Sequence, residues 1–410
     1  TGKYKYVLLV GDGNTVPPSF YYQSVMAYYY VGPWNAWNPT DFFYASPDYD
    51  LVPDYFVGRI PFSDPKLVSF VVAKIIDWYN VKDKGRNIAI SGGAPFHIPL
   101  MFSETAIATE TLKGITSMFN TTILTITSLN YDRNTVQNIL QKGGYLWYYL
   151  ICHGSGNALI DYMPTPEGYL ASQILASTRD LAMMGRNPFV PVLTSVACMN
   201  AAWDDEVVPP WYFSPPCFGE AVLLSPAAGI AYVGSARIAW ELGILFHLEN
   251  GFATVEFYGA AYLHFKLLQA YNEFMGKRDK VGLGEVVAYG IVDFMTDVFK
   301  SKEAMRYMDL VLLTMFQLTL LGDPALQLPV FKDEYVKTNI KIIEPKKPDS
   351  ILDIRKIAPI EEYKGTIPFY NPLRNATLTV YGVDGKIIVT LSRVVPGYMW
   401  YYLYRVKPGI

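Results

Sequence analysis

The chain has 410 residues, 51% of them hydrophobic and 17% charged, with a formal net charge of −3. So much apolar material excludes wholesale disorder and provides for sizeable cores, and a chain of this length is expected to hold two or three domains. The near balance of 34 Lys and Arg against 37 Asp and Glu removes any electrostatic reason to expect nucleic acid or an anionic membrane as partner.

The chain opens Thr-Gly-Lys, without an initiator Met or an apolar leader, so a removed leader or an excised piece of a longer precursor is expected. Its most apolar long segment, residues 221–246, is interrupted by Ser225-Pro226, Arg237 and Glu241. It therefore reads as core helix, strand and loop, and no transmembrane segment is expected. Three cysteines are too few for a disulfide framework and leave at least one thiol free. Two Asn-x-Thr triplets, at Asn120 and Asn375, would suit a secreted protein.

"KYVLLVG" (5–11) is an apolar run closed by glycine, the pattern of a buried parallel strand. An aromatic, proline-rich stretch to residue 40 reads as irregular, and "DYFVGRIPFSD" supplies a second strand. Ser63-Asp64-Pro65 then marks an N-cap and first turn for a helix to about Asn80. "NIAISGG", "TTILTIT", "GGYLWYYLIC", "PFVPVLTSVAC" and "GIAYVGSA" are further strands, with helices predicted over 104–119 and 132–142. Long helical patterns cover 249–276, 282–300 and 303–320. Strands alternating with helices in this way predict an α/β core built on a mostly parallel sheet.

After "LLGDPALQLP" the pattern changes to short alternating runs broken by Pro and Gly, among them "GTIPFYNP", "NATLTVYGVDGKIIVTLS" and "GYMWYYLYRV". Gly382-Val383-Asp384-Gly385 is a hairpin turn signal, and the tail reads as a small all-β sandwich of immunoglobulin type. The expected divisions are 1–85, a partial N-terminal α/β subdomain; 86–332, the chemistry-bearing subdomain; and 333–410, the sandwich.

Functional groups in parallel α/β sheets gather beyond the carboxyl ends of the strands. Two strands here end in reactive residues, one at His153 and one at Cys198. A thiolate with an imidazole in reach is the equipment of a cysteine nucleophile. Gly154, directly after His153, permits a sharp turn and a free N–H, so that Gly154 and the Cys198 amide together suit an oxyanion. The alternative is that both are ordinary buried residues at strand ends. Cys152 faces away from His153 by strand alternation and reads as packing. Zinc ligation by Cys152, His153, Cys198 and Cys217 matches no common ligand spacing. Asp48, Asp50 and Asp54 in "SPDYDLVPD" suit a hard, oxygen-liganded cation such as Ca²⁺, with a solvated acidic loop as the other reading.

Seven segments in order resemble the gingipain-type cysteine peptidases, whose catalytic domain has the caspase–hemoglobinase fold. They are "YVLLVGDGNTVPP", "TDFFYASPDYDLVPDYFVGRIPF", "YLICHGSGNAL", "TSVACMNAAWD", "PPCFGEAVLL", "GIAYVGSARIAW" and "LLGDPALQLP". The resemblance implies a caspase-like sheet flanked by helices over 86–332, followed by the immunoglobulin-like sandwich. It implies a cysteine endopeptidase with Cys198 as nucleophile, His153 as general acid/base, and the Gly154 and Cys198 amides at the oxyanion. In the same comparison Glu104 is the candidate to orient the imidazole, although the loop carrying it, "APFHIPLMFSET", matches loosely. Trp240 corresponds to a pocket lid, while Glu241 or Asp204 would supply the pocket's charge unless paired with Arg237. Protein or peptide substrates, secretion or a place in a larger cell-surface assembly, and a structural calcium ion follow from the resemblance, with no cofactor required for the chemistry. Family members carry a fuller α/β subdomain ahead of the catalytic one. The alternative is a catalytically silent surface or structural protein that keeps the peptidase fold.

Overall fold

A computed structural model of the chain describes residues 5–22, 37–48, 50–92, 119–125, 132–164, 170–204, 216–239, 245–249, 252–256, 259–275, 277–301, 304–305, 308–331, 363–371, 376–381, 387–394 and 397–406. Two compact units are present: Thr1–Gln23 with Trp37–Pro47 and Val52–Ile340, and Ser24–Ala36 with Asp48–Leu51 and Lys341–Ile410.

The first unit is built on an eight-stranded sheet. Its strands are β1 (Tyr6–Val10), β2 (Phe56–Ile60), β3 (Asn87–Gly92), β4 (Asn120–Thr125), β5 (Trp147–Ile151), then β9 (Val192–Val196), β10 (Ala231–Ser235) and β11 (Leu318–Leu321). Between β5 and β9 the chain forms β6 (His153–Ser155), β7 (Ala158–Pro164) and β8 (Leu170–Ser177), a separate antiparallel sheet. In the large sheet the order is β1-β2-β11-β10-β9-β5-β3-β4. Every neighbouring pair is parallel except β10 with β11. The chain is thus mixed α/β with a mostly parallel central sheet flanked by helices. Strands from 1–85 and from 86–332 share this sheet.

The continuous apolar runs form central strands because helices cover both faces of the sheet. These helices are α1 (Pro65–Asn80), α2 (Arg133–Lys142), α3 (Phe218–Leu224), α4 (Ala260–Met275), α5 (Leu283–Lys300) and α6 (Met308–Gln317). Alternation along β5 displays the two layers. Trp147 lies 5.9 Å from the Tyr271 ring of α4, and Tyr149 Oη donates to Ala261 O at 3.0 Å. Tyr148 faces the other way; in register with it across β9, Tyr232 of β10 meets Phe218 of α3 at 6.0 Å. Helix α1 starts where the Asp64 carboxylate accepts the Lys66 N–H at 2.8 Å, with Pro65 in the first turn. It buries Val71, Ile75 and Trp78, and between them Lys74. Lys74 Nζ donates to the Val222, Leu223 and Ser225 carbonyls at 2.9, 3.2 and 2.7 Å, capping the end of α3.

Two sequence expectations are corrected. The helix expected from residue 249 begins at Ala260, and Leu245–Glu249 and Phe252–Glu256 pair as a hairpin instead. The stretch to residue 40 is not wholly irregular, since Ser19–Tyr22 pairs with Trp37–Thr40. The hairpins of β6–β8 were not foreseen. The helix expected over 104–119 lies, but for Phe119, outside the described residues. In the second unit, β12 (Tyr363–Asn371) pairs with β15 (Gly397–Val406), and β13 (Ala376–Tyr381) with β14 (Ile387–Val394), both antiparallel. Two ribbons are what the described residues there form; the Gly382–Gly385 turn lies outside them. No helix among the described residues is long and apolar enough to cross a membrane.

His264 of α4 is fully buried against Tyr149, and neither ring nitrogen has a hydrogen-bond partner among the described residues. Burial pushes its imidazole from the ordinary 6.5 down to about 3. Because the folded state resists protonation, this residue's contribution is intact above pH 6.5 and is lost as pH falls from there toward 3. Unfolding free energies of His264→Leu from denaturant titrations should therefore fall less steeply across that window than wild type, by up to about 1.4 kcal/mol per pH unit. Parallel curves would refute the assignment.

Candidate active site

Strands β5 and β9 run side by side with Trp147 opposite Val192 and Ile151 opposite Val196. His153 and Cys198 each lie two residues beyond the last matched pair, at the same carboxyl edge of the sheet. The two chains diverge there in different ways.

After β9, whose five residues are all buried, Cys198 starts a tight turn. Met199 takes a left-handed conformation, φ +60°, which is uncommon for a residue with a side chain. Backbone bonds hold the turn against the end of β10: Met199 N–H donates to Arg237 O at 2.7 Å, and Ala201 N–H to Ser235 O at 3.1 Å. On the other flank Cys152 N–H donates to Val196 O at 3.1 Å.

After β5 the chain turns at Cys152 and His153 begins β6. His153 is therefore the first residue of a second sheet and not the last of the first one, as expected from the apolar run. Its side chain is exposed at one face, while partial desolvation lowers its pKa below the ordinary 6.5. Burial holds the Cys152 thiol well above its ordinary value, and the neighbouring Asp161 and Cys198 push the same way. A thiol kept protonated is a poor nucleophile, consistent with packing.

Gly154 is where the two chains touch. A Cβ at this position would lie 2.5 Å from Cys198 O, 2.8 Å from Asn200 Oδ1 and 2.9 Å from Ala197 Cβ. None of the three can swing aside, since one is a backbone carbonyl, one a fully buried amide and one a Cβ fixed to the backbone of a buried residue. Glycine at 154 is thus a packing requirement.

Of the two readings of Asp204, a pocket carboxylate or a partner of Arg237, the second is what the described residues form. Asp204 is fully buried and bound bidentately by Arg237, at 2.8 Å to Nη1 and 2.6 Å to Nη2. Its charge is neutralised inside the protein and is not presented to a ligand. Arg237 Nε also donates to Trp37 O at 3.0 Å. A second buried pair lies nearby: Arg59 holds Asp41 through Nε at 2.8 Å and Nη2 at 2.7 Å, and stacks 3.8 Å above the Trp203 ring. Burial raises the Asp41 carboxyl above its ordinary range; Arg59 opposes this and Asp204 reinforces it.

Glu104, Trp240 and Glu241 lie outside the described residues. Among the described residues no group of three or more His, Cys, Asp or Glu could hold a metal ion. Cys217 is buried before α3, with its N–H on Glu220 Oε2 at 2.8 Å. The residue that sequence reasoning passed over is Asn200, which is fully buried within the site. Gly156-Asn157 between apolar runs was a usable hairpin signal for the element it grips.

The model of peptidase family C25 matches residues 1–329, and the chain belongs to that family, the gingipain family. An uncharacterized protein of Archaeoglobus fulgidus is 34% identical over 250 residues, a match covering 56% of this chain and 56% of that protein. The chain thus spans about half the length of this curated relative. A solved structure described as "Structure of Protease" superposes with a TM-score of 0.51 at 12% identity, covering 99% of this chain and 81% of that one. At that identity the likeness is one of fold.

Gly154→Ala should force the β6–β7 hairpin away from the Cys198 turn, destabilising the fold by about 1–3 kcal/mol. Thermal unfolding of the variant checks this. An unchanged melting temperature would mean the two chains are not in contact.

Proposed function

We propose that the chain is a cysteine endopeptidase with Cys198 as nucleophile and His153 as general acid/base. The observation that carries the reading is the β5–β9 register, which sets the two residues equally far beyond Ile151 and Val196 at one sheet edge.

In the first step the Cys198 S–H proton passes to the neutral His153 imidazole while sulfur bonds the substrate carbonyl carbon. Charge develops on the carbonyl oxygen, facing the Gly154 and Cys198 N–H groups. The pairing of β6 with β7 supports this role for Gly154. Ser155 and Ala158 flank a two-residue turn, and alternation from that pair directs the Gly154 N–H away from β7. As the C–N bond breaks, His153 returns its proton to the leaving amine. Water, deprotonated by His153, then attacks the thioester carbonyl, and cleavage of the C–S bond frees the acid and restores the thiol. Family membership supports protein or peptide substrates. Glu104 as the group orienting the imidazole, and Trp240 with Glu241 as the wall of the substrate pocket, complete the proposal. Asp48, Asp50 and Asp54 are proposed for a structural cation only, and no chemical step passes through it.

A peptidyl chloromethyl ketone should label Cys198 and spare Cys152 and Cys217, as read by peptide mass mapping. Cys198→Ala should lower cleavage of a peptide library at least about a thousandfold. If Cys198 resists alkylation at neutral pH, or the variant cleaves normally, the non-catalytic alternative stands. The neutral imidazole predominates above its folded-state pKa and is lost as pH falls through it. Since desolvation lowers that pKa, the acid limb of kcat/KM should have its midpoint below 6.5. A midpoint at or above 6.5 would remove His153 as the free-enzyme base.

A further inference from the structure

Asn200 lies two residues after Cys198, and its side chain reaches the hairpin that starts with His153. Its Nδ2 donates to Ser155 O at 2.5 Å and to Ala158 O at 3.1 Å, the two residues that close the hairpin turn. Its Oδ1 accepts from Ser195 Oγ at 3.4 Å, and the Ser195 hydroxyl also bonds Tyr232 Oη. The backbone joins in: Asn200 O accepts the Gly219 N–H at 2.8 Å, and Gly156 O accepts the Phe218 N–H at 2.7 Å. Two carbonyls on one side and a hydroxyl on the other fix which way the amide points, because only nitrogen can donate to carbonyl oxygens.

The symmetry of the link is notable for the chemistry. Ser155 is two residues past His153, as Asn200 is two past Cys198. We infer that Asn200 is a positioning residue that sets the separation of the His153 imidazole and the Cys198 sulfur by tying the nucleophile turn to the hairpin turn. The inference rests on the peptidase reading for its consequence, though not for its geometry. Small displacements of reacting groups lower the chemical step while leaving ground-state binding in place. The contribution of Asn200 therefore belongs in kcat.

Asn200→Asp is nearly isosteric and gives a distinctive signature. An ionised carboxylate would face the Ser155 and Ala158 carbonyls without a proton to donate, and like-signed dipoles would push the turns apart. Protonation restores one O–H donor, and burial favours that neutral form. The ratio of variant to wild-type kcat should thus be depressed about 10–100-fold at pH 8 and recover as pH falls, with KM unchanged. The new carboxylate also favours the charged imidazole, so the pH midpoint of Cys198 alkylation is measured in both proteins and the kcat ratio is corrected for any shift in it. Asn200→Ala should lose kcat without any recovery in acid. Ser195→Ala, which only frees the amide's oxygen, should lose about 2–10-fold, and it carries the test if the Asn200 variants do not fold by circular dichroism.

A folded Asn200→Asp protein with wild-type kcat at pH 8, a loss confined to KM, or a ratio independent of pH would overturn the inference. With unfolded Asn200 variants, an unchanged kcat in Ser195→Ala would do the same. A wild-type chain that cleaves nothing is a separate result and sinks the peptidase reading. In that case the rate of Cys198 alkylation by iodoacetamide replaces kcat, and equal rates in wild type and Asn200→Asp would overturn the positioning role.

Discussion

The parallel pairing of β5 with β9 is the constraint on which the site depends. Two short runs, Trp147–Ile151 and Val192–Val196, are apolar enough to be buried on both faces, and burial leaves them one register. A slip of one residue would turn Tyr148 toward α4 and Tyr149 toward α3, exchanging a hydroxyl pair with Ser91 for a bond to Ala261. His153 and Cys198 reach one edge because the hydrophobic strands before them end together, and Asn200 joins the turns beyond that edge.

Around this edge the protein holds charge where water is absent. Asp41 with Arg59 and Asp204 with Arg237 are buried pairs, and Trp203 lies beneath Arg59. Replacing such pairs with apolar residues can be neutral for stability, but removing a single partner is not. They fasten separate stretches of chain to the Cys198 turn, since Asp204 follows it, Arg237 accepts its Met199 N–H through the backbone carbonyl, and Arg59 comes from β2. The left-handed Met199 is held by these same contacts against its own conformational preference.

Much of this was legible from residues alone, for a physical reason. Strands such as Asn87–Gly92 and Ala231–Ser235 lie within a covered sheet, so their sequences are continuous apolar runs ending in small residues. Helix α1 was announced by Asp64-Pro65. His153 and Cys198 stood out because they close such runs. The hairpins of 153–177 carried one legible mark, Gly156-Asn157, which the apolar run ahead of it overshadowed, and the apolar 245–256 segment fits both a helix and a strand period. Whether Asp204 faced a pocket or paired with Arg237 stayed open because a carboxylate's partner is set by tertiary packing, which local sequence does not encode. Asn200 went unremarked for the same reason: its acceptors are backbone carbonyls, which leave no mark in sequence.

The position of β11 bears on how the molecule is made. Leu318–Leu321 enters between β2 and β10, antiparallel to one and parallel to the other, and the Gly322 N–H bonds Arg59 O at 2.7 Å. During synthesis the β1–β2 pair emerges first yet has no place in the sheet until this late strand arrives. Contacts so distant along the chain are slow to form. The nascent chain must therefore carry the open edges of β2 and β10 through the translation of everything between them, the stage at which unpaired strands are most prone to aggregate.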